Sequence, residues 1–86
     1  MDWPTTCDAA VEALRARMSR SEKDELASMA RDDLFRLHFG LGMAIRNEFG
    51  LWAGNDALIE SCSGRRFADA DGVSMLIIER LWETLQ

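Results

Sequence analysis

A chain of 86 residues, 48% of them hydrophobic and 29% charged, has the composition of one folded domain over residues 1–86, too short for a second domain and too apolar for disorder. Its formal net charge of −5 argues against direct binding of nucleic acid, because phosphates require a surplus of Lys and Arg. No basic segment precedes an apolar run, and no apolar run approaches the ~20 residues that span a bilayer. We therefore expect a soluble cytoplasmic protein that has no export signal and does not contact a membrane.

The two cysteines, Cys7 and Cys62, stand alone in the sequence. They form no CxxC pair and have no histidine beside them, so the spacing indicates neither a zinc site nor a disulfide framework. Small, partly buried thiols are ordinary in cytoplasmic proteins. We expect both cysteines to be reduced.

Two helices are predicted before residue 31. Thr5 is placed to cap the first, whose apolar residues recur at helical spacing and which ends near Met18. Ser19 and Glu22 have the spacing of a capping box, which predicts the start of a short second helix. The outer face of the second helix is mostly charged, and we expect it to be solvated.

The densest apolar segment, residues 37–52, carries the only histidine and is expected to organise the fold. A central helix is predicted over about residues 33–49, with apolar residues on two faces. One face holds Leu34, Leu37, His38, Leu41, Ala44, Ile45 and Phe49, and the other holds Phe35, Phe39 and Met43. A helix that is apolar on two faces is surrounded by protein, so this segment is either the centre of the domain or part of an interface.

Glycines shape this central segment. Gly40 and Gly42 each lower helix propensity by roughly 1 kcal/mol relative to Ala, and the close approach of a neighbouring helix would compensate. Gly50 fits the left-handed residue that ends a helix. The next four residues are predicted to form a short hydrophobic connector.

The last third of the chain predicts two more helices. Asn55 caps a short one that ends at Gly64, residues 65–67 form a loop, and Asp69 caps a last helix that runs through Leu85. No stretch alternates apolar and polar residues for long enough to be a strand. The pattern predicts an all-α fold, a compact single-domain bundle of four to five helices.

His38 is the first candidate for catalysis or metal binding. Its neighbours one helical turn away are Leu34, Phe35, Leu41 and Gly42. None of these side chains supports general acid–base chemistry or ligation, so we favour a core histidine whose ring nitrogens are satisfied by hydrogen bonds. An enzymatic role would require His38 to lie beside Cys62 or an aspartate in an open pocket.

Two short motifs resemble binding loops and are rejected. Residues 40–42 begin like a dinucleotide fingerprint, but the third glycine is missing and the segment reads as helix. Residues 69–72 begin like a calcium loop, but the glycine comes too early and the closing glutamate is absent. Without a triad, metal cluster, phosphate loop or carboxylate pair, we predict no enzyme, no catalytic residue, no metal and no cofactor.

Candidate partner-binding residues fall into two groups. The acidic group contains Glu22, Asp24, Glu25, Asp32 and Asp33, together with Glu79 and Glu83 on the last helix. The second group contains Arg46, Asn47, Trp52 and Trp82. A solvated face is the structural alternative for the acids. For Arg46, the structural alternative is pairing with a carboxylate or with helix-end carbonyls. For Asn47, it is hydrogen bonding to the connector. The functional interpretation is an acidic docking surface with Arg and Trp anchors.

Residues 37–55 read LHxxLGxxIRNxFGLWxxN. With the later residues 74–78 and 81–82, they resemble a family of small, uncharacterised bacterial and phage proteins, a domain of unknown function. The similarity covers residues 5–85, and it implies a small helical bacterial domain without an assigned activity. By size and charge alone, the chain is also similar to anti-CRISPR inhibitors, which occupy a surface of an effector complex.

The hypothesis is therefore a non-enzymatic protein-interaction module. Its most concrete version is a small acidic inhibitor of the anti-CRISPR type, encoded by a phage or mobile element. Its partner would be a CRISPR effector subunit or another nucleic-acid-binding complex, whose basic surface it blocks. The alternative is a housekeeping bacterial protein that acts through homodimerisation.

Overall fold

The computed structural model describes residues 3–65 and 68–86, and helices alone build the fold in these two ranges. The chain forms α1 (Cys7–Arg17), α2 (Arg20–Ala27), a 3₁₀-helix (Arg31–Leu37), α3 (Leu41–Glu48), α4 (Asp56–Ser63) and α5 (Ala70–Thr84). The predicted all-α class is confirmed for this part of the chain, but its six helices exceed the four to five that were predicted. Of the loop predicted at residues 65–67, all but Arg65 lies outside the described residues. No helix in the two described ranges has the length and apolar character needed to cross a membrane.

Local hydrogen bonds set where the helices begin. Ser19 and Glu22 form the predicted capping box, with the Ser19 amide donating to the Glu22 carboxylate at 2.9 Å and the Glu22 amide to the Ser19 hydroxyl at 3.1 Å. The predicted cap at Thr5 is wrong by one residue, because Thr6 has the extended backbone and accepts from the Ala9 amide. The other predicted ends are confirmed at Gly50, Asn55, Gly64 and Asp69.

The predicted central helix over residues 33–49 is wrong, because two helices form there. The 3₁₀-helix ends at Leu37, and Gly40 precedes α3 with φ −96° and ψ −94°, which lies outside the helical region. The break leaves the His38 carbonyl free to accept from the Arg46 guanidinium at 2.8 Å. In one continuous helix these two residues would be about 12 Å apart along the axis. A turn at residues 38–40 therefore replaces the straight helix.

The second apolar face of this segment is exposed in the folded chain, so the segment is not the centre of the domain; the alternative, that it is part of an interface, stays a prediction. Phe35 is 65% exposed, Phe39 79% and Met43 39%. A 3₁₀-helix has three residues per turn, so Leu34 and Leu37 share the inner face and Phe35 points away from it. The change of helix type thus moves the Phe35 side chain to the surface.

Helix α5 takes the central position. It packs against α1, α3, α4 and the 3₁₀-helix. Its fully buried apolar side chains are Val73, Ile77, Ile78 and Leu81. The side chains that pack around them include Ala10, Leu14, Leu34, Ile45 and Leu58. The core therefore forms around the last helix and not around residues 33–49.

A disulfide joins Cys7 at the start of α1 to Cys62 near the end of α4, with Cα atoms 4.9 Å apart. The expectation of two reduced thiols is therefore wrong. Packing of α1 beside α4 brings together positions that are 55 residues apart, which motif spacing does not report. The Cys7 amide also donates to the Ser61 hydroxyl at 2.8 Å, so the same two helices are joined by a second bond.

Candidate partner-binding surfaces

Arg46 is the most buried charged residue of the described chain, with 2% of its surface exposed. Its guanidinium donates to the His38 carbonyl at 2.8 Å and to the Ser74 hydroxyl at 2.9 Å. Its Nε lies 3.3 Å from an Asp71 carboxylate oxygen, an ion-pair distance without a well-aligned hydrogen bond. The structural interpretation, pairing with a carboxylate and a helix-end carbonyl, is confirmed.

Trp52 and Asn47 lie near the end of α3. Trp52 is 59% exposed, and the Arg46 guanidinium lies 5.4 Å from its ring centroid, in cation–π contact. Asn47 is exposed, and its side chain makes no hydrogen bond within the described residues. The buried Asn55 holds the connector instead, because its amide donates to the Phe49 carbonyl at 2.7 Å and to the Pro4 carbonyl at 2.9 Å. The sequence predicted Asn55 only as a helix cap. Its position at the end of the motif over residues 37–55 was the available signal for these hydrogen bonds to the connector.

His38 is about one-third exposed, so the expectation of a core histidine is wrong. Its Nε2 lies 3.9 Å from an Asp71 carboxylate oxygen, too far for a hydrogen bond. Its ring packs edge-on against Phe39 and lines a shallow depression of about 400 Å³ with Phe35 and Met75. The aspartate that an enzymatic role requires is thus nearby, whereas Cys62 is held in the disulfide.

Ser74 carries a hydroxyl that could act as a nucleophile, and Arg46 joins it to His38 and Asp71. It is fully buried, accepts from Arg46, and donates to the Asp71 carbonyl at 2.8 Å. A hydroxyl with both hydrogen-bonding roles occupied and no exposed surface is not placed for attack on a substrate. Arg46 of α3, the His38 carbonyl after the 3₁₀-helix, and Asp71 and Ser74 of α5 therefore form a structural junction between these three helices.

Two acids near the end of α5, Glu79 and Glu83, pair with one cation. Arg31 pairs with Glu79 and, at 3.2 Å, with Glu83. Its guanidinium also lies 5.3 Å from the centroid of the Trp82 ring, and the Trp82 indole donates to the Met29 carbonyl at 2.9 Å. The residues predicted as an acidic edge and an apolar anchor thus join α5 to the start of the 3₁₀-helix.

The acids of α2 and the 3₁₀-helix are more open. Glu22 belongs to the capping box, and hydrogen bonds from the Ser19 amide and then from the Ser19 hydroxyl lower the pKa of its carboxyl below the ordinary value of 4.5. Asp33 lies 3.8 Å from Arg36. The remaining candidates of this segment, Asp24, Glu25 and Asp32, are exposed and make no ion pair within residues 3–65 and 68–86. A carboxylate surface therefore remains on α2.

An apolar groove lies beside two of these acids. We call it the Met–Leu groove; its lining residues are Met18, Leu26, Met29, Leu37 and Leu41, with Glu22 and Glu25 at the rim. Its volume is about 400 Å³. The lining comes from four consecutive segments of the fold, so sequence patterns treated these side chains as separate helix faces. The three-residue spacing of Leu26 and Met29, which is typical of one helix face, is the signal that the sequence offers.

Among the described residues, no group of three or more His, Cys, Asp or Glu side chains is arranged to hold a metal ion. The structure divides the predicted partner-binding residues among three places. Glu22 and Glu25 lie at the Met–Leu groove. Glu79, Glu83 and Trp82 contact Arg31, and Arg46 is buried beneath Trp52.

The chain matches one family model. The match covers residues 3–85, and the model is described as a domain of unknown function, DUF6794. No match to a curated protein and none to a solved structure was found. A match over nearly the whole chain shows that this protein belongs to the DUF6794 family.

Proposed function

We propose that this protein is a non-enzymatic interaction module that binds a basic surface of a partner protein through the acidic side of α2. The observation that carries the proposal is the exposure of Asp24 and Glu25, which make no ion pair within the described residues. Glu79 and Glu83 of α5, in contrast, already pair with Arg31. Unpaired carboxylates attract Lys and Arg over long range and favour association with a basic surface.

The most concrete version of this proposal is an anti-CRISPR type of inhibitor from a phage or mobile element. Its partner would be a nucleic-acid-handling complex, and the carboxylates of α2 would occupy positions that phosphates otherwise take. The net charge of −5 and the small size support this version. The family match assigns no activity, so it is compatible with this version and does not argue for it.

The cellular compartment is part of the same proposal. A cytoplasmic setting fits an inhibitor of an intracellular complex, whereas the Cys7–Cys62 disulfide is typical of oxidising compartments. Alkylation of free thiols in intact cells before lysis measures which state the protein has. If both cysteines are alkylated, the result supports the cytoplasmic setting and contradicts a disulfide in the cell. If neither is alkylated, the result supports the disulfide and contradicts the cytoplasmic setting.

Affinity capture with paired variants tests the interaction. The tagged protein is compared with D24K/E25K and with the control E12K/E60K, which makes the same charge change at exposed acids of α1 and α4. The proposal expects a partner that binds the native chain and the control but binds D24K/E25K several-fold more weakly, with a loss of affinity at high salt. Equal binding by all three proteins, or no protein partner, contradicts it.

Phage plating tests the inhibitor version alone. Expression of the native protein in a bacterium with an active CRISPR system should restore plating of a targeted phage, and D24K/E25K should not. Restoration by both proteins would assign the inhibition to another surface.

Homodimerisation is the second candidate, and the exposed Phe35 and Phe39 favour it. Large exposed aromatic side chains mark interaction surfaces, and a symmetric dimer would bury them against their own copies. Light scattering of the native chain, of F35S/F39S and of the control L76S tests this idea. A dimer that only F35S/F39S dissociates supports self-association, and a monomer at every concentration contradicts it.

A further inference from the structure

We propose that the Met–Leu groove binds a short amphipathic segment of a partner protein whose apolar side chains are flanked by Lys or Arg. This inference rests on the proposed function and adds the binding site and the chemistry of the bound segment. The inference depends on the shape and apolar lining of the groove as well as on its charge, whereas the proposed function depends on the exposed carboxylates alone.

The groove offers a supported apolar surface. Leu26 lies at its base with 4% exposure, and the other apolar lining residues, half-buried, pack against the core. Its volume of about 400 Å³ falls within the roughly 300–1,000 Å³ of typical ligand sites. Met18 and Met29 contribute flexible thioether side chains that adapt to different apolar partners. A few aliphatic or aromatic side chains of a partner segment therefore fit.

The charges at the rim select the kind of segment. Glu22 and Glu25 are three residues apart on α2, so they lie on one side of the helix beside the apolar lining. No Lys or Arg is found among the described residues that line the groove. An anionic lipid or an acidic peptide would meet like charge here, and so would a second copy of this chain with its net charge of −5. Cationic side chains next to apolar ones complement both features, which is the pattern of helix-in-groove recognition.

Methionine methyl signals in NMR provide the test, because the chain contains internal controls. The probe is a synthetic helical peptide with Leu on one face and Lys on the flanks; the comparison peptide replaces each Lys with Glu. With ¹³C-methyl-labelled native protein, the Lys peptide should shift the signals of Met18 and Met29, while those of Met43 and Met75, which lie outside the groove, should stay in place. The Glu peptide should bind at least tenfold more weakly.

Two single variants isolate the charge at the rim. E25K should weaken binding of the Lys peptide about fivefold, since it replaces attraction with repulsion. E60K makes the same change at an exposed acid of α4 that lies outside the groove, and should leave the affinity within twofold. Neither residue caps a helix, so both variants should fold.

Three results would overturn the inference: shifts confined to Met43 and Met75, equal affinity for the two peptides, or Met18 and Met29 signals that change with protein concentration alone. The last would mean that a second copy fills the groove. If the methyl signals overturn the inference but a basic partner still discriminates D24K/E25K in affinity capture, the proposed function stands and only the site is wrong.

Discussion

Arg46 of α3 donates a 2.9 Å hydrogen bond to the hydroxyl of Ser74 in α5, and both side chains are buried. The same guanidinium reaches the His38 carbonyl at the end of the 3₁₀-helix. Gly42 makes room for it, because a Cβ at that position would lie 3.0 Å from Arg46 Nη1 and 3.2 Å from the Leu37 carbonyl oxygen. One side chain therefore joins three helical segments whose order in the sequence does not reveal their contact.

Replacing this arginine should destabilise the fold. R46M keeps much of the side-chain volume but leaves the His38 carbonyl and the Ser74 hydroxyl without their donor, so we expect a loss of about 2–4 kcal/mol in the free energy of unfolding. Urea denaturation measures it. The control R36M removes an arginine whose side chain is 70% exposed and should cost less than about 0.5 kcal/mol. A loss below that value in R46M would contradict the buried network.

Gly50 should be more sensitive to alanine than Gly64, although both have positive φ. At Gly64 a Cβ meets nothing within 4 Å, so G64A should lose only about 1–2 kcal/mol of backbone free energy. At Gly50 a Cβ would overlap the Trp3 ring, so G50A should lose about 3 kcal/mol or more. Thermal unfolding measures both losses.

A double-mutant cycle checks the cause of this difference. In a W3A background, G50A should lose no more than G64A, because the ring that blocks the Cβ is gone. An unchanged penalty at Gly50 in W3A would show that Trp3 does not pack there.

Reduction should weaken the fold through the unfolded state. The Cys7–Cys62 bond spans 55 residues, and the chain-entropy model gives about 4 kcal/mol of stabilisation for a loop of that length. The urea midpoint of the native protein should therefore fall when a reductant is added. The C7A/C62A variant should have a low midpoint that reductant does not change. If reductant leaves the native midpoint unmoved, the disulfide is absent in solution.

Acid should weaken the start of α2. The folded-state pKa of Glu22 is lowered by the Ser19 amide first and the Ser19 hydroxyl second, so the stability it contributes is present above its ordinary value of 4.5. That contribution is lost as pH falls through the lowered folded-state pKa. A carboxyl ¹³C NMR titration measures the shift, and S19A should raise the pKa of Glu22 toward 4.5. Because S19A keeps the Ser19 amide and removes only the hydroxyl, an unchanged Glu22 titration would contradict the contribution of the hydroxyl.

The helix ends could be read from sequence because their causes are local. The Ser19–Glu22 box and the caps at Asn55 and Asp69 each join an amide and a side chain three residues apart, so residue type and spacing suffice. Part of the local reasoning still failed at Thr5, because two adjacent threonines offer nearly equal caps and the structure uses Thr6, which accepts from the Ala9 amide.

The candidate surface was only partly predictable. Sequence located the acids of α2, but it did not separate Glu25 at the rim of the Met–Leu groove from Glu79 and Glu83, which pair with a cation 48 and 52 residues earlier in the chain. Sequence also indicated that Asn47 would hold the connector by hydrogen bonds, whereas Asn55 donates them, to the Phe49 and Pro4 carbonyls. These assignments depend on which helices pack together.

By itself, the sequence determined the all-α class, the ends of most helices and the acidic character of α2, since each follows from hydrogen bonds and periodicity within one segment. Only the tertiary structure decided that the apolar segment breaks at Gly40, that α5 forms the centre, that Cys7 meets Cys62 and that four segments enclose the Met–Leu groove. The reason is physical: burial of apolar surface is not directional, so many packings satisfy the same helical pattern. Specific contacts such as Arg46 with Ser74 then select one of them.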